Sequence, residues 1–176
     1  GHSPYIAEQY PEAEITVLGD SGAGVITEEF FSQSFPNWNV EGVVPRHVNG
    51  FETVEAQELT IVDLWVGVAD HYRDRGLRFA EYSTAYDKDQ TTYYVYMGGQ
   101  GDDWAPQLRS SFESIRAATE NFRYYLAEGP VHGGTVFDVF YVRKTNNTPF
   151  SSWLNQMVTG DSLPDDVACE EDECRL

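Results

Sequence analysis

The sequence predicts an α/β fold on an open parallel sheet, with helices on both faces. Two observations lead there. Apolar, β-branched runs alternate with segments whose apolar residues recur at helical spacing, an order that needs parallel strands joined by helices. Chemistry-bearing residues also stand just past the ends of several runs, where an open α/β sheet gathers its site.

Taken in order, "SPYIAEQYPEA" reads as a short helix closed by Pro11, and "EITVLGDS" as a buried strand running into a glycine turn. "AGVITEEFFSQSF" has helical spacing, and the Pro- and Gly-punctuated "FPNWNVEGVVPRHVNGF" reads as irregular. "ETVEAQELTIVDLWVGVADHYRDR" is amphipathic and helical, and the aromatic "GLRFAEYSTAY" is the next strand. "DKDQTTYYVYM" reads as a loop and short helix, and "APQLRSSFESIRAATENF" as an amphipathic helix. "FRYYLAEG" is a third strand, "TVFDVFYVRKTNNTPF" a hairpin about Asn146-Asn147, and Ser151 to about Val158 a closing helix. Residues 1–165 make one catalytic region and 166–176 an acidic tail.

Composition removes several function classes. The chain has 176 residues, with 29 acidic against 11 basic and a formal net charge of -18, a surface that repels phosphate backbones. Nucleic acid is therefore not an expected partner. No apolar run is long enough to cross a bilayer. Cys169 and Cys174 both lie in the tail, where Cys-x4-Cys suits a small disulfide loop and an oxidising, secreted or periplasmic setting. The tail has no histidine, and neither a metal nor a cofactor is expected.

The stretch "LGDSGAG" carries the first chemical signal. A serine on a tight strand-to-helix turn, flanked by small residues, serves either a nucleophile or a structural turn. Serine attacks only when a base takes its proton and a carboxylate orients that base. Asp87 and His132 stand just past the next two strands and fill those roles. The order Ser, Asp, His is that of α/β-hydrolases, whereas trypsin-like enzymes place histidine first on an all-β frame. Ser21 is the expected nucleophile, His132 the base, Asp87 the acid, and the Gly22 N–H one oxyanion donor. Asp89 is the alternative acid. His2, His47 and His71 are expected in surface or capping roles, although His47 could line a cleft. Asp70, Asp102 and Asp103 read as solvated or capping residues.

These motifs resemble the pectin acetylesterase and Notum family of α/β-hydrolases, including its secreted bacterial esterases. Its nucleophile turn is matched by Gly19-Asp20-Ser21-Gly22-Ala23-Gly24, and its aromatic-Asp-x-x-Gln stretch by Tyr86 to Gln90. Its histidine turn is matched by Val131-His132-Gly133, and its Trp-containing closing helix by "PFSSWLNQMVTGD". The Asp-x-x-Gln element favours Asp87 over Asp89. The order Ser-Gly-Ala-Gly departs from the family's Ser-Ala-Gly-Gly, and the cysteines that brace the family's core are absent. The resemblance implies a serine esterase acting on acetyl or short acyl groups, with an acetylated polysaccharide as a substrate. A polyester depolymerase and a non-catalytic binding domain on the same frame are the alternatives. Trp38, Trp65 and Tyr93–Tyr96 offer stacking faces or core packing. Only about twenty residues precede Ser21, so the chain reads as the carboxyl-terminal part of the full fold, with a minimal sheet lacking half of the family's site as the alternative. An upstream segment would then supply the remaining strands and the second oxyanion donor.

Overall fold

A computed structural model describes residues 2–136, 138–170 and 174–175. Helix α1 (Ser3–Gln9) leads to strand β1 (Thr16–Asp20) and helix α2 (Glu28–Ser34). Short 3-10 turns fill much of the irregular segment before α3 (Ile61–His71), which is followed by β2 (Arg78–Thr84). Then come α4 (Lys88–Tyr96), α5 (Gly101–Ala118) and β3 (Phe122–Ala127). The chain closes with α6 (Val139–Val142), β4 (Lys144–Thr145), β5 (Thr148–Pro149), α7 (Phe150–Thr159) and β6 (Val167–Ala168).

The main sheet runs β1-β2-β3-β6, with all its pairs parallel. Alternation along the strands sorts the core onto two faces. Val17, Phe79, Phe122 and Leu126 pack with Val68 and Ala69 of α3 and with Leu108 and Phe112 of α5. Leu18, Ala80, Tyr82 and Tyr125 face Phe150, Trp153 and Met157 of α7. Helices therefore cover both faces, as the alternating pattern predicts. Trp65 packs edge-on against Phe79 and Phe122, a core role, while Trp38, Tyr93 and Tyr96 are exposed.

Local chemistry sets the helix starts. Thr27 accepts the Phe30 N–H at the head of α2, and Thr60 and Asp63 form a reciprocal capping box on α3. The predicted hairpin is present but short. Asn146 and Asn147 both take positive φ, as a two-residue turn of this hand requires, and only two residue pairs flank it. Much of the preceding segment forms α6 instead of a longer strand.

The expected acidic tail is partly sheet. Val167 and Ala168 form the edge strand β6 on β3, and the Cys169 N–H continues the ladder to the Leu126 carbonyl. Cys169 and Cys174 are disulfide-bonded, and the Gly129 N–H donates to the Cys174 carbonyl. The bridge thus ties the chain end to the loop that follows β3. Among the described residues no helix is long and apolar enough to cross a membrane.

Gly19 is fixed by packing. It pairs with Glu81 across the β1–β2 register, and a Cβ at Gly19 would collide with the Glu81 carboxyl. Gly19→Ala is expected to destabilise the protein by about 1–3 kcal/mol, the usual cost of overpacking. Thermal unfolding checks this, and the double variant Gly19→Ala/Glu81→Ala should recover part of the loss.

Candidate active site

The carboxyl ends of three adjacent parallel strands converge. Ser21 directly follows β1, Asp87 follows β2, and His132 follows β3. Ser21 has φ 58, a left-handed conformation rare for a residue with a Cβ, and is 3% exposed. Its N–H donates to the Tyr82 carbonyl at 2.8 Å, which fastens the turn to β2. The strand-turn pattern of "LGDSGAG" accounts for this sharp corner.

Asp87 is fully buried and bifunctional. Its Oδ1 accepts the N–H groups of Asp89 and Gln90, each at 3.0 Å, and so caps α4. Its Oδ2 lies 2.9 Å from His132 Nδ1, so the Nδ1–H donates to the carboxylate and Nε2 is the ring nitrogen left for chemistry. Three residues along α4, Gln90 Nε2 donates to the Ser21 carbonyl oxygen. One helical turn therefore grips both the imidazole and the serine turn, which gives the Asp-x-x-Gln spacing a physical reason. Asp89 is exposed, offers only its backbone N–H here, and does not reach His132.

The serine hydroxyl faces the histidine loop. Ser21 Oγ accepts the Gly133 N–H at 2.9 Å, while among the described residues no hydrogen bond joins Oγ to the imidazole. His132 itself has a side chain 45% exposed. Asp87 and His132 are thus joined directly, and Ser21 is joined to the residue after His132. Catalytic hydrogen bonds commonly tighten only when substrate is bound.

Asp20 is the strongest feature that sequence reasoning missed. Its Oδ1 accepts the Gly134 N–H at 2.5 Å, and its Oδ2 accepts the Thr135 N–H at 2.9 Å and also the Thr135 hydroxyl. Successive N–H groups of residues 133–135 thus point at the serine turn, the first at Oγ and the next two at Asp20. This clamp sets the distance between the His132 loop and Ser21. Asp20→Ala is expected to speed hydrogen exchange at the amides of residues 134 and 135.

Gly22 departs from expectation. Its N–H donates to Glu81 Oε1 at 2.9 Å instead of standing free for an oxyanion. Glu81 is 1% exposed, and burial, with a smaller push from the Asp20 charge, holds its carboxyl well above the usual carboxylate range against the lowering effect of the Gly22 N–H. Nothing in the local pattern of "RFAEYST" marks this glutamate apart from a charge in a buried strand.

The other candidates make contacts away from the Ser21 turn. His47 Nε2 lies 3.1 Å from the Tyr72 hydroxyl, and His71 Nδ1 accepts the Asn49 N–H. Asp70 pairs with Arg73 at the surface, and Asp102 and Asp103 lie in the first turn of α5. Among the described residues no three His, Cys, Asp or Glu side chains group as a metal site. A cavity of about 400 Å³ is lined by both apolar and polar side chains, among them Val25, Phe31 and Ile61 with Glu28, Gln57 and Gln107, and its walls do not include Ser21, Asp87 or His132. No family model, curated protein or solved structure matches this chain.

Proposed function

We infer that the protein is a serine hydrolase of carboxylic esters, with Ser21 as nucleophile, His132 as base and Asp87 as orienting acid. The observation that carries this reading is the 2.9 Å Asp87–His132 contact beside a left-handed Ser21, at the carboxyl ends of three adjacent strands. Ser21 Oγ attacks the ester carbonyl carbon while His132 Nε2 takes its proton. The C–O bond to the alcohol then breaks, and the imidazolium returns the proton to the leaving oxygen. Water, deprotonated by the same nitrogen, cleaves the acyl-enzyme and restores Ser21. Asp87 holds the Nδ1–H throughout and offsets the imidazolium charge.

The family resemblance points to acetyl esters on a polysaccharide. β1 lies at one edge of the sheet, and a segment packed on that edge would supply the second oxyanion donor. The tail disulfide agrees with a secreted or periplasmic setting. The unbonded Ser21–His132 pair favours one rival, a binding domain on a hydrolase frame. Assay of p-nitrophenyl acetate against p-nitrophenyl esters of longer acids separates the two. Turnover highest on acetate supports the esterase reading, and no turnover by folded protein on any ester supports the rival.

A further inference from the structure

Glu81 lies at the centre of β2, opposite Gly19, with its carboxyl against the Gly19 backbone. Oε1 accepts the Gly22 N–H, and Oε2 is buried with no hydrogen-bond partner among the described residues. None of the ion pairs formed by the described residues includes Glu81. An anion so placed would be dry and uncompensated, and the charged side chain acting on it, Asp20, is itself acidic. The neutral acid fits the site: a carbonyl oxygen on the Gly22 N–H and the proton on the unpartnered oxygen.

The proton on Glu81 bears on the chemistry beside it. The N–H of the residue after the nucleophile is the donor that an α/β-hydrolase turn offers to the oxyanion. A neutral acid carbonyl is a weaker acceptor than a carboxylate or an alkoxide. A charged Glu81 would compete with the oxyanion for this N–H and repel it. We propose that Glu81 is a positioning residue that, as the neutral acid, holds the Gly22 N–H in the resting site and yields it to the oxyanion formed when Ser21 attacks. The proton stays on Glu81 throughout; only the acceptor of the Gly22 N–H changes. The proposal rests on the esterase reading above.

Infrared difference spectra of the full chain, before and after reaction with a fluorophosphonate, test it. The resting protein should show a carboxylic-acid C=O band that Glu81→Gln removes. Phosphonylation of Ser21 should move that band to higher frequency, because the phosphonyl oxygen takes over the N–H. Glu81→Gln, neutral and still an acceptor, should keep kcat within about threefold, whereas Glu81→Leu should lower kcat by up to about 10²-fold with little change in KM. If Glu81→Leu does not fold, the infrared comparison decides alone. An acid band unaffected by Glu81→Gln, labelling without a band shift, or a folded Glu81→Leu with full kcat would overturn the proposal. Absence of labelling would overturn the esterase reading and this proposal with it.

Discussion

Ser21→Ala is expected to lower hydrolysis of p-nitrophenyl acetate by about 10⁴–10⁶-fold, the loss seen when a triad nucleophile is removed. The residual rate would come from substrate binding and oxyanion contacts alone. The variant has a second effect that must be separated from the first. Ser21 Oγ is the acceptor for the buried Gly133 N–H, so the alanine leaves that donor unpaired at a cost of about 1–3 kcal/mol. The left-handed backbone at residue 21 is strained for serine and alanine alike, and it adds little to the difference. Circular dichroism and thermal unfolding should therefore show a folded, somewhat less stable protein whose activity has collapsed. A Tm close to that of the parent, with activity retained, would remove Ser21 from the mechanism.

Asp87→Asn should be nearly as damaging to activity and almost harmless to the fold. The two N–H groups of Asp89 and Gln90 require an oxygen at the Oδ1 position, and asparagine supplies one as a good N-cap. Its amide NH2 is then forced toward His132 Nδ1. The ring must accept there and carry its proton on Nε2, the nitrogen that should receive the serine proton. A wrong tautomer of this kind costs about 10⁴-fold in kcat. Asp87→Ala loses the cap as well, and should unfold at lower temperature by about 1 kcal/mol of stability. Asp89→Asn should change neither property, since Asp89 uses only its backbone N–H here. Measuring kcat and Tm for all three variants separates the two jobs of the Asp87 carboxylate.

The parts of the fold that follow from local pattern were legible in the sequence. A strand entering small residues places Ser21, and the ends of the next two strands place Asp87 and His132. Those positions need only the alternation of strand and helix. The features the sequence did not disclose depend on pairings between distant residues. Asp20 meets Gly134 across 114 positions, and Gly22 meets Glu81 across 59. Neither contact leaves a mark in its own segment. The nucleophile turn alone predicts a free Gly22 N–H, but a buried carboxyl on the neighbouring strand takes it. β6 was hidden because a two-residue strand has no periodicity to detect, and its acidic flanks read as solvated tail. Gln90 was visible as part of a motif, but its grip on the Ser21 carbonyl becomes apparent only when α4 is seen beside the turn.

Activation of Ser21 as a nucleophile by His132 is the step on which the proposed esterase activity depends. Its most direct test is reaction of the intact protein with a fluorophosphonate, followed by digestion and mass spectrometry of the peptides. Ser21 Oγ should displace fluoride at phosphorus, leaving one adduct on the peptide that contains Ser21. The adduct should be absent in Ser21→Ala and form far more slowly in His132→Ala. A folded protein that takes up no label, or that takes it up on another residue, would contradict the account.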